Sequence, residues 1–175
     1  TQAATSGADL IFLTGDFLSL ETTISSGDQE STRRLVTALS PLQAARGRVF
    51  WCFGNHDHDT PDCCSMLKAV MDSLGIHAVG DSVETVFLGQ GRPAVRLICA
   101  DYYPPGEERE LKMRALIRKS QSFSSGEEER TLKIMLAHDP SVIDCIQPDD
   151  GIDIVLSGHM HGGVWGVQAL GLPWT

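Results

Sequence analysis

Leu10-Ile11-Phe12-Leu13-Thr14-Gly15-Asp16 is a short apolar run that halts at a glycine followed by a carboxylate. Apolar residues in unbroken succession, without polar alternation, are the pattern of a strand covered on both faces and ending in a loop. The construction recurs along the chain. Val49-Phe50-Trp51-Cys52-Phe53 stops at Gly54-Asn55, Val95 to Cys99 stops before Asp101, Leu132 to Leu136 stops before His138, and Ile152 to Leu156 stops before Gly158-His159. Helical spacing fills the intervals. Leu35, Val36 and Leu39 predict a helix over roughly 29–40, and Met66, Leu67, Val70, Met71 and Leu74 predict another from Pro61 to Gly75. Leu111, Ala115, Leu116 and Lys119 mark a third, amphipathic helix, followed by a polar loop at 120–129. Ile76 to Val79 and Val83 to Leu88 read as further strands, so antiparallel hairpins are expected between 76 and 99. Strands alternating with helices make the fold class α/β, with helices covering a mixed sheet. Ligands gather at the carboxyl ends of strands in such sheets, and five ends here carry Asp16, Asn55, Asp101, His138 and His159.

The chain has 175 residues, 42% hydrophobic and 21% charged, enough for one compact domain with a real core. No run of about 18 apolar residues is present, and no signal-peptide pattern opens the sequence. The net charge of −9, from 14 basic and 23 acidic residues, argues against a nucleic-acid-binding surface. It does not exclude a phosphate ester, because bound dications invert the local field. The five cysteines, Cys52, Cys63, Cys64, Cys99 and Cys145, form no regular framework and no Cys-x-x-Cys pair. They read as free thiols of a reducing compartment rather than as a zinc knuckle.

Chemistry concentrates at four of the strand ends. Gly158-His159-Met160-His161-Gly162-Gly163 places two imidazoles on one tight loop, a common way to build a metal site. Gly54-Asn55-His56-Asp57 sets a neutral amide ligand beside a histidine suited to proton transfer. With Gly15-Asp16 and Ala137-His138, the order of motifs resembles the calcineurin-like metallophosphoesterases, over nearly the whole chain. The resemblance implies a mixed-sheet sandwich flanked by helices and a centre of two divalent ions. Imidazole and carboxylate donors suit Mn, Zn or Fe better than Ca. Residue by residue, it implies that Asp16 bridges the two metals, that Asn55, His138 and His159 complete one site, and that His161 binds the other. It also makes His56 the proton donor to the leaving oxygen, with Asp57 near enough to orient it. Paired dications clamp a phosphoryl group and lower the pKa of a coordinated water to about 7.

Leu136-Ala137-His138-Asp139-Pro140 and the Gly158–Gly163 loop look most like the bacterial phosphodiesterase group that includes YaeI, YkuE and LpxG. That likeness implies phosphodiester or pyrophosphate hydrolysis, a lipid-linked or nucleotide-sugar substrate, and membrane association of the intact protein. The family pattern begins with an Asp-x-His one strand–helix unit before Gly15-Asp16, and no Asp-x-His occurs in this sequence. The expectation is that residues 1–175 are a single metallophosphoesterase domain truncated at both ends. Two other readings stand beside the diesterase: a non-catalytic scaffold of the same fold, and a phosphomonoesterase of the protein-phosphatase kind. No arginine neighbours a ligand motif in the sequence, which weighs against the latter. Asp101-Tyr102-Tyr103-Pro104-Pro105 reads equally as a cleft wall or a rigid surface loop. His58 reads as a solvated loop residue, His77 as a satisfied strand residue, and Glu127-Glu128-Glu129 as a solvated loop.

Overall fold

Alternation within the apolar runs sorts their side chains between two layers. The computed structural model describes residues 2–18, 29–59, 61–76, 80–122 and 131–161. Strands β1 (Ile11–Leu13) and β2 (Val49–Trp51) pair in parallel, with Ile11 opposite Val49 and Leu13 opposite Trp51. A second sheet runs β3 (Ser82–Phe87), β4 (Ala94–Cys99), β5 (Leu132–Leu136), β6 (Ile154–Leu156); its first pair is antiparallel and the other two are parallel.

Because successive strand residues point to opposite faces, each run feeds two cores. Val49 and Trp51 pack with Leu67, Met71 and Leu74 of the helical segment after Pro61, whereas Phe50 and Cys52 point the other way. There they meet Leu97, Cys99, Ile134 and Leu136 of the second sheet. Ile98 and Met135, the alternate residues of β4 and β5, face Met113 and Ile117. The order of layers is therefore helices α1 (Gln2–Thr5), α2 (Gln29–Leu39) and α3 (Pro61–Ser73), the two-stranded sheet, the four-stranded sheet, and helix α4 (Glu107–Gln121). Helices covering a mixed sheet are what the succession of runs predicts, and the sandwich is what the resemblance implies. Burial on both faces explains why the strands read as unbroken apolar runs. A fully buried Leu67 or Met71 contributes about 1.5–3 kcal/mol relative to an exposed one.

The structure departs from expectation in two places. Leu111 is 72% exposed, and the buried stripe of α4 is Arg109, Met113, Leu116, Ile117 and Ser120. Those positions follow i, i+4, i+7, i+8 spacing, and Leu111 falls outside them. Ile76 is fully buried but lies outside any strand. The remainder of that expected strand with His77, residues 123–129 of the expected polar loop, and Gly162-Gly163 all lie outside the described residues, while residues 120–121 of that expected loop belong to the helix ending at Gln121. No helix among the described residues is long and apolar enough to cross a membrane.

Candidate metal centre

The loops after β1 and β2 meet at a distance only glycine tolerates. A Cβ on Gly15, whose φ is +86°, would lie 2.4 Å from the Gly54 amide nitrogen. The adjoining Asp16 also sits in the left-handed region, at φ 58°, as do His159 at 65° and His161 at 44°. Such conformations cost non-glycine residues roughly 1–2 kcal/mol each and persist only where surrounding bonds over-determine them. One of those constraints is Asp57, which has no exposed surface. Its Oδ1 accepts from the backbone N–H of Phe17 (2.9 Å) and Leu18 (3.1 Å), and its Oδ2 from Asp16 (2.9 Å) and Gly54 (2.8 Å). A single buried carboxylate ties the two loops together. Burial pushes its pKa up, opposed by these N–H bonds.

The loops after β5 and β6 close in from the other side. The Gly158 N–H donates to the His138 carbonyl at 3.0 Å. A Cβ on Gly158 would stand 2.6 Å from Thr14 Oγ1, so this loop packs directly on the end of β1. His138 is buried, and its Nδ1 lies 2.5 Å from the Thr14 carbonyl oxygen. A carbonyl only accepts, so Nδ1 carries the proton and, in the neutral ring, Nε2 presents its lone pair. Around that Nε2 stand Asn55 Oδ1 at 3.0 Å, His159 Nδ1 at 3.0 Å and Asp16 Oδ2 at 3.2 Å. Asp16 Oδ1 accepts the His56 backbone N–H at 3.0 Å, which orients the carboxylate.

Several lone pairs thus converge on one point with too few protons among them. Asp16, His138 and His159 each offer a ligand atom, all within 4.8 Å of one another. Tetrahedral bonds of about 2.0–2.2 Å to N and O ligands would hold those atoms roughly 3.4 Å apart, close to the separations observed. The residues fit a divalent cation of the borderline class, and the Thr14 carbonyl supplies the outer hydrogen bond that fixes the ligand tautomer. Asp16, His138, His159 and His161 also line one cleft of about 490 Å³. His161 therefore borders the site but stands outside the three-residue cluster.

His56 and its neighbours differ from the sequence reading. Asp57 does not orient the His56 imidazole, because its carboxylate is consumed by backbone N–H groups. The partner is Asp59, whose Oδ2 lies 3.0 Å from His56 Nδ1. Residues 56–58 form a 3₁₀ turn, in which side chains at i and i+3 eclipse. That spacing is the signal that could have identified Asp59. The hydrogen bond to it raises the His56 pKa, and the imidazole is 41% exposed. His58 is likewise not a free loop residue. Its Nδ1 lies 3.3 Å from Cys64 Sγ and its Nε2 3.6 Å from Asp101 Oδ1. Burial lifts the Cys64 thiol to about 11 and the Cys52 thiol to about 12, so neither is a reactive thiolate. Tyr102 meets the His138 ring edge-on at 6.0 Å, placing the Asp101–Pro105 segment beside the centre.

The calcineurin-like phosphoesterase family matches residues 2–163. YkoQ of Bacillus subtilis, an uncharacterized metallophosphoesterase, is 30% identical over 156 residues, covering 89% of this chain and 50% of YkoQ. YpbG of the same organism, an uncharacterized protein, is 50% identical over 36 residues, 21% of this chain and 14% of YpbG. The chain thus spans half the length of one relative and a smaller share of the other. No solved structure matches it.

Proposed function

This chain belongs to the calcineurin-like phosphoesterase family, and from that premise we propose that it hydrolyses a phosphodiester or pyrophosphate bond at the Asp16–Asn55–His138–His159 cluster. The observation that carries the reading is the convergence of three ligand atoms on His138 Nε2 within 3.2 Å. Two divalent ions, Mn, Zn or Fe by the chemistry of the donors, would polarise the phosphoryl oxygens and acidify a water for in-line attack.

Asp16, set by its left-handed backbone and the His56 N–H, faces His138 with one carboxylate oxygen. Asn55 adds a neutral oxygen, so the cluster keeps a net attraction for a phosphate anion once cations are bound. His161, which lines the same cleft, is assigned to the second ion. His56 is assigned the transfer of a proton to the leaving oxygen. With Nδ1 held by Asp59, its Nε2 is left to carry that proton, and the raised pKa keeps the ring protonated nearer neutrality.

The spelling of the His138 and His159 loops supports a place beside YaeI, YkuE and LpxG. On that basis the substrate is lipid-linked or a nucleotide sugar, and the intact protein acts at a membrane. The test is hydrolysis of bis-p-nitrophenyl phosphate, p-nitrophenyl phosphate and a UDP-sugar by the chain, with Mn, Zn and Fe supplied in turn. Metal-dependent cleavage of the diester or pyrophosphate, in preference to the monoester, is expected. Equal rates with and without chelator would overturn the proposal, and preference for the monoester would replace its substrate class.

A further inference from the structure

Arg109 belongs to none of the site's sequence motifs, and sits on α4, 29 positions before His138. Its side chain is only 5% exposed, and all three nitrogens are engaged. Nε donates to the Tyr103 carbonyl at 2.6 Å, Nη1 to Ser141 Oγ at 2.5 Å and Nη2 to Asp139 Oδ2 at 2.6 Å. The other Asp139 oxygen accepts the Ser141 N–H at 2.9 Å and the Ser141 hydroxyl at 2.8 Å. A buried guanidinium is costly unless its partners are complete, and here the circuit closes.

Its location gives the circuit a purpose. Asp139 directly follows His138, and Tyr103 directly follows Tyr102, whose ring stands edge-on to the His138 imidazole. The Arg109 guanidinium lies 6.0 Å from the same Tyr102 ring. One side chain therefore grips both strand-end loops bordering His138, the one after β4 by a carbonyl and the one after β5 by a carboxylate and a hydroxyl. The Thr14 carbonyl accepts the hydrogen bond from His138 Nδ1–H. The guanidinium is spent on protein atoms and offers no face to a substrate phosphate.

We propose that Arg109, through Asp139, is a positioning residue that aims His138 Nε2 at the metal centre. The inference rests on the reading of His138 as a cation ligand. Conserving charge does not conserve this function, because a lysine presents no planar fork to three acceptors.

The experiment compares the wild-type chain with Arg109→Lys, Asp139→Asn and the double variant. Zn²⁺ binding is measured by titration calorimetry, and the His138 tautomer in the metal-free chain by ¹⁵N imidazole NMR. Each single change is expected to weaken Zn²⁺ binding about 10–100-fold. The double variant should be no weaker than the poorer single, since both cut one circuit. The Nδ1–H tautomer of His138 should give way to a mixture. A purely structural role would lower the unfolding temperature while leaving both readouts unchanged. A folded variant with wild-type Zn²⁺ affinity and tautomer overturns the inference. Should Arg109→Lys fail to fold, the near-isosteric Asp139→Asn decides. Should the wild type bind no Zn²⁺, the proposed function falls, and the tautomer comparison alone judges this one.

Discussion

Replacing Asp57 by asparagine separates loop-building from catalysis more sharply than any other single change. Asp57 accepts four backbone N–H groups, two on each oxygen, from positions 16, 17, 18 and 54. Asparagine retains one accepting oxygen and puts an NH₂ where the other was. Whichever way the amide turns, two N–H donors then face a donor, one of them buried (Leu18 or Gly54) and one partly buried. Leaving a buried polar group unsatisfied costs about 1–3 kcal/mol, and a partly wetted one less. The surviving pair also loses its charge-assisted character. The sum is about 2–5 kcal/mol, a large fraction of a typical domain's margin. For a chain of this length it lowers Tm by roughly 4–20 °C. Asp59→Asn, by contrast, loosens only a half-exposed pair with His56 and should shift stability by less than about 0.5 kcal/mol. Urea unfolding of both variants beside wild type, followed by circular dichroism, makes the comparison. If Asp57→Asn unfolds at the wild-type midpoint, or if Asp59→Asn is the more destabilised, the reasoning that Asp57 is a loop tie fails.

Three further outcomes are expected. His56→Ala should leave bound metal near the wild-type level while slowing hydrolysis of esters with poor leaving groups about 10²–10⁴-fold; unchanged rates on such esters would remove His56 from proton transfer. His159→Ala should lose metal and activity together, and metal analysis after dialysis showing wild-type content would take His159 out of the cluster. At the far end of the second sheet, burial alone would raise the Asp150 carboxyl, but the Gln147 N–H and the Arg114 guanidinium outweigh it and hold it below its usual 3.8. A depressed folded-state pKa means stability that is present above that value and lost as pH falls through the folded one. Asp150→Asn should therefore cost about 2–3 kcal/mol at pH 6, short of a fully buried pair because Arg114 is 30% exposed, and progressively less below about pH 4. An identical cost at both pH values would contradict the assignment.

The apolar runs ending in Asp16, Asn55, His138 and His159 were legible because strands buried on two faces leave a period-free signature, and the polar residue at each end is visible by contrast. Helix α4 was harder. Its composition reads as helical, but two leucines, Leu111 and Leu116, compete for the core, and only packing against β4 and β5 chose Leu116. The resemblance assigns His56 proton transfer and sets Asp57 beside it, whereas the imidazole is paired with Asp59. Adjacency in sequence suggested one carboxylate, and the 3₁₀ turn delivered another.

By itself, the order of residues determined the α/β class, the strand and helix succession and which polar side chains stand at strand ends, since these depend on local periodicity and on neighbours a few positions apart. Tertiary structure alone decided that those ends meet, that Thr14 sets the tautomer of His138, that Asp57 serves the backbone, and that an arginine on α4 secures the loop after β5. The bonds that decide these points join atoms 30 or more positions apart, and hydrogen-bond geometry at such separations is dictated by how layers pack, which no local pattern encodes.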